Sequence, residues 1–113
     1  MPKFTKHIIG ELEHKLSIAQ DEMFLAKENN DPVNFLDWKE TAKALKKAMH
    51  GERLTDREKT LVYEELYNLA DIADSNYHFA KKEEDEKARK YWQCEKRKLN
   101  KAIKALDKNF ITA

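Results

Sequence analysis

An internal echo constrains this chain more than any other feature. Displacing residues 8–49 by 54 positions onto 62–103, without a gap, aligns eleven identical pairs: Glu11/Glu65, Leu12/Leu66, Ile18/Ile72, Ala19/Ala73, Ala26/Ala80, Lys27/Lys81, Asp31/Asp85, Trp38/Trp92, Leu45/Leu99, Lys47/Lys101 and Ala48/Ala102. Ile8/Val62, Leu25/Phe79 and Met49/Ile103 add apolar-for-apolar pairs. The identities are mostly apolar and helically spaced, so the repeating unit reads as a pair of amphipathic helices. The expected fold is all-α, a four-helix bundle of two similar antiparallel helical hairpins. Hairpin 1 covers about 5–50 and hairpin 2 about 55–110, within a single domain of 113 residues.

Composition agrees with that expectation. Two glycines, two prolines and 38% charged residues suit a helical, water-facing chain, and a hydrophobic fraction of 41% is too high for a disordered one. Cys94 is the single cysteine, so no disulfide framework exists and a reducing cytoplasm is the expected location. No apolar run approaches the roughly 20 residues of a membrane span, and the Ile8–Ile9 pair is too short for a signal peptide.

Helix 1 is expected over about 5–29, with Ile8, Leu12, Leu16, Ala19, Met23 and Ala26 on one face and Asn29–Asn30 closing it. Asp31 caps helix 2 and Pro32 occupies its first turn, where a missing N–H costs nothing. Phe35, Trp38, Ala42, Leu45 and Met49 form its stripe, and Gly51 ends it. Helix 3 opens on the capping box Thr55-Asp56-Arg57-Glu58 and carries Val62, Leu66, Leu69, Ala73, Tyr77 and Ala80. Residues 81–86 hold no glycine or proline, but an unbroken helix 3–helix 4 would be roughly 80 Å long. Asp85 aligns with the Asp31 cap, which places a turn within 81–86. Helix 4 then carries Ala88, Trp92, Leu99, Ile103, Leu106 and Phe110. Both tryptophans lie on apolar stripes and are expected to be buried.

Helices 1 and 3 also carry a second apolar set, displaced by about a quarter turn: Ile18 and Leu25, with Ile72, Phe79 and Leu61. Either each of these helices meets two neighbours in the bundle, or this face is exposed and meets another protein or a second copy in a homodimer.

Charge is unevenly spread. Residues 51–80 carry a net −4 and residues 81–113 a net +5, which suits two antiparallel neighbours that attract. The alternative is a basic face for nucleic acid or an acidic partner, with Lys87, Arg89, Lys90, Arg97, Lys101 and Lys104 as contacts. The basic residues are expected to surround the polar side of helix 4, not to form one row.

Reactive constellations are sparse. Glu11-x-x-His14 has the spacing of carboxylate-bridged di-iron bundles, but its repeat, Glu65-x-x-Asn68, lacks the imidazole. His7, Glu11 and His14 could chelate a stray zinc ion at the surface, on the side of helix 1 away from its stripe. No resident metal or cofactor is expected. Cys94 lies off the stripe of helix 4 and has no neighbouring histidine, and Ser17 and Ser75 have no nucleophile context. The expectation is a small non-enzymatic protein acting by protein–protein contact. Its size and Lys/Asn/Glu usage suit, by association only, an accessory or inhibitor protein of a phage or other mobile element. The runner-up is a nucleic-acid-binding module using helix 4, and the third reading is a structural homo-oligomer; no membrane partner is expected.

Overall fold

Local chemistry sets the starts of the helices and the turns between them. The computed structural model describes residues 4–109, with side chains through Asp107. It contains α1 (Lys6–Glu28), α2 (Pro32–Met49), α3 (Asp56–Lys82) and α4 (Glu86–Asn109). The Thr5 hydroxyl caps α1 by accepting the Ile8 N–H at 3.3 Å. At α3 the box is reciprocal: the Glu58 N–H donates to the Thr55 hydroxyl (3.1 Å), and the Thr55 N–H donates to Glu58 Oε1 (2.9 Å).

The two hairpin turns are copies of each other at the repeat distance. Asn30 and Glu84 both adopt the left-handed conformation, with φ of 54° and 58°. The Asn30 and Asp31 N–H groups donate to the Lys27 and Ala26 carbonyls at 3.2 and 2.8 Å; those of Glu84 and Asp85 donate to Lys81 and Ala80 at 3.2 and 2.9 Å. This is the paired bonding that satisfies the last carbonyls of a helix. Asp31 and Asp85 then each accept an N–H of the next helix at 3.1 Å, from Asn34 and Ala88. The break expected within 81–86 is there. The repeat is looser at the open ends, where α3 starts about one turn earlier than α1 and α4 runs nearly two turns further than α2.

Each hairpin closes on itself, α1 against α2 and α3 against α4. Buried alanines at positions 19, 26, 42, 73 and 80 let paired helices approach closely. The hairpins then join along α2 and α3, and α1 meets α4 only glancingly. Phe4, Ile8 and Leu12, Ala44, Leu45 and Ala48, Leu54, Leu61, Val62 and Leu66, and Leu99, Ile103 and Leu106 share one core. That core lies at the open ends; the tips at Asn30 and Glu84 lie outside it. The result is a flat four-helix bundle of 46 × 37 × 19 Å. Its radius of gyration of 15.6 Å exceeds the about 13 Å of a compact chain this long.

Two expectations need correction, and one falls outside the described residues. Trp38 and Trp92 are half-buried, not buried: Trp38 lines a cleft with Thr41, Arg57 and Leu61, and Trp92 packs on the core edge against Tyr91. Leu61 belongs to the core at 6% exposure, because α2 covers that side of α3. Phe110 lies outside the described residues.

Candidate functional site

Apolar side chains left over after the core has formed are the first candidates. Ile18, Leu25, Ile72 and Phe79 are 37% to 65% exposed, so the second face of α1 and α3 has no bundle neighbour covering it. The structure adds residues that periodicity did not single out. Phe24, Leu25, Val33 and Leu36 are all more than half exposed and flank the tip of hairpin 1. Beside them Ala26, Pro32 and Phe35 floor a shallow cleft rimmed by Lys27, Asn30 and Asp31. Phe24, Val33 and Leu36 lie off their helices' stripes, and that displacement was the available signal. At the equivalent positions hairpin 2 carries His78, Lys87 and Lys90. Its own exposed apolar residues, Tyr67, Ile72, Phe79 and Tyr91, are spread along the hairpin.

The basic helix is the second candidate. α3 and α4 are antiparallel neighbours, as the charge split suggested. Lys96 Nζ lies 2.7 Å from Asp74 Oδ1 and 4.7 Å from the Tyr77 ring centre. The ammonium hydrogen bond holds the Asp74 carboxyl below its ordinary value. Arg89 is held by Glu86 through two hydrogen bonds, of 3.2 and 2.8 Å. Lys87, Lys90, Arg97, Lys101 and Lys104 are exposed. At 100° per residue, Lys90, Arg97, Lys101 and Lys104 line up on the face opposite Leu99, Ile103 and Leu106. The cations of α4 thus spread around its polar side, with these four in line and Lys87, Arg89, Lys96 and Lys98 to either side of them. Arg97, Lys101 and Lys104 have no ion-pair partner among the described residues. Cys94 is exposed.

The third candidate is a cluster that no stretch of sequence shows. His7 Nε2 lies 2.9 Å from Glu95 Oε2 and 3.9 Å from Glu11 Oε1. Donor atoms of the three residues all lie within 4.8 Å of one another. His14 is exposed and stands outside this group, so the expected His7–Glu11–His14 chelate is replaced by one that includes Glu95. His7 is half-buried because α4 packs beside the start of α1.

Comparison adds no relative: the chain matches no protein-family model, no curated protein and no solved structure at a significant level.

Proposed function

We propose that the protein works by binding another protein, without catalysis, through the apolar tip of hairpin 1. The observation that carries this reading is four large apolar side chains, 51% to 69% exposed, gathered around an open cleft within thirteen residues of chain. Grouped exposure of this kind disfavours an isolated monomer and marks contact surfaces. Ile18, Ile72 and Phe79 extend the docking area along the second face of α1 and α3. A binding-only role in the cytoplasm suits an accessory or inhibitor protein.

The test is the double variant Leu25→Glu with Leu36→Glu, used as bait beside the wild type in nuclease-treated lysate. The wild type should retain a protein that the variant loses, while both melt at the same temperature. Both positions are already wet, so a charge there leaves folding intact. A variant that unfolds, or that keeps every wild-type partner, removes this surface from consideration. Mass measurement by light scattering identifies a second copy as the partner.

A second reading has its own observation, the unpaired row Arg97, Lys101 and Lys104 on the outward face of α4. Phosphate binding there would weaken with salt, and each cation removed would lower the salt slope by about one. Binding to duplex or single strands that survives Arg97→Glu with Lys101→Glu would sink it.

A further inference from the structure

We propose that His7, Glu11 and Glu95 form a site for one divalent transition-metal ion, zinc by its donor set, which straps α1 to α4. His7 and Glu11 are four residues apart on α1 and so project from the same face, while Glu95 arrives from α4. In tetrahedral zinc sites with bonds of 2.0–2.2 Å, ligand atoms are separated by about 3.3 Å. The separations of 2.9 and 3.9 Å bracket that value. One imidazole and two carboxylates supply three protein ligands and leave a fourth position for water.

Glu95 is the reason to expect a cation. It is 5% exposed, and a carboxylate with so little water contact needs its charge offset. Among the described residues His7, itself a metal-ligand type, is its ion-pair partner. A metal dication would balance both carboxylates and leave the site neutral. Lys98 and Lys101 line the adjoining cleft, and neither is ion-paired with Glu95 or Glu11.

The repeat shows that the fold itself does not require this chemistry. Positions equivalent to His7, Glu11 and Glu95 are Leu61, Glu65 and Thr41, which meet in a cleft at the seam between α2 and α3. That seam holds a buried acid of its own, Glu58, but pairs it with a lysine, Lys47, at 2.7 Å. The α1–α4 seam is the weaker one, and its buried acid, Glu95, faces a histidine instead.

Titration of the full chain with Zn²⁺, by competition against a chromogenic chelator and by thermal melting with and without EDTA, tests the site. One equivalent should bind and raise Tm, because an ion that binds only the folded state stabilises it by mass action. His7→Ala and Glu95→Gln should each weaken zinc at least as much as the roughly 10–100-fold lost with an outer-shell partner. His14→Ala should bind like wild type. If Glu95→Gln fails to fold, Glu11→Gln, at a position wetter than Glu95, reads out the same loss. No rise in wild-type Tm, wild-type affinity in Glu95→Gln, loss of binding in His14→Ala, or equal binding of Mg²⁺ would each overturn the proposal. The first result would leave His7 as the partner of Glu95 without a metal, and the third would indicate a surface chelate only.

Discussion

Hairpins 1 and 2 close through the same turn, hydrogen bond for hydrogen bond, yet present opposite tips. Around Asn30 stand Phe24, Leu25, Val33 and Leu36; around Glu84 the chain runs Lys81-Lys82-Glu83-Glu84-Asp85-Glu86-Lys87. Much of what the hairpins share packs or caps: Leu12/Leu66, Ala19/Ala73, Ala26/Ala80, Asp31/Asp85 and Leu45/Leu99. The match with burial is not complete, since Ile18/Ile72 and Lys27/Lys81 are shared but exposed, and Thr41 and Glu95 are buried but differ. Close packing holds most of the shared positions, while the exposed tips have diverged.

The sharpest test of structural equivalence is in the core. Leu45 and Leu99 occupy matching buried positions, at 0% and 3% exposure. Leu45→Ala and Leu99→Ala should each cost about 2–5 kcal/mol, and by similar amounts, in urea unfolding. One costing far less than the other would break the equivalence. Trp38→Ala and Trp92→Ala should cost less, about 2 kcal/mol each, because half-burial forfeits part of the 3–5 kcal/mol of an enclosed indole.

A smaller effect should distinguish the hairpins by pH. Only α3 begins with a full capping box; at the equivalent place in the α1 cap stands Ile8. Burial pushes the Glu58 carboxyl up, but hydrogen bonds from Lys47 and from the Thr55 backbone and hydroxyl, with the Lys47 charge, outweigh it and hold the group below its ordinary value. The Lys47 ammonium is 2.7 Å away. With the folded value depressed, this contribution is complete above the unfolded glutamate value of about 4.3 and is lost as pH falls below it. Wild type should lose about 1.5 kcal/mol more than Glu58→Gln between neutral pH and about pH 3, the scale of a hydrogen bond to a charged group. Parallel pH profiles for the two proteins would refute this.

The smallest effect concerns the turns. Glu84 adopts a left-handed conformation that costs a residue with a Cβ about 1 kcal/mol, and asparagine tolerates it better. Glu84→Gly should therefore raise the denaturation midpoint, and Asn30→Gly should raise it less. Equal gains would show that asparagine and glutamate incur the same cost in this conformation, removing the difference between the two turns.

Much of this architecture was legible because it rests on local bonding. Asp31 with Pro32, the Thr55–Glu58 box and Gly51 each act within a turn of themselves, and the helices begin and end where they predict. Helix length required a break between helices 3 and 4, but its place before Asp85 was legible only through the repeat, since residues 81–86 contain no breaker. Burial was legible for the centre of each stripe but not for the tryptophans, whose surroundings depend on how closely two alanine-lined helices approach.

The sequence by itself determined four helices, their caps, two hairpins and the stripes that close them, because hydrogen bonds within a turn and a 3.6-residue period are properties of neighbouring residues. Only the tertiary structure decided that the hairpins share a core at their open ends. That placement buried Leu61 while leaving Ile18, Leu25, Ile72 and Phe79 in water. It also brought Glu95 against His7 across 88 residues of chain. The outcomes differ because α2 covers one side of α3 and α4 covers the start of α1, and which face a second hairpin covers depends on how whole surfaces fit together, which helical periodicity does not encode.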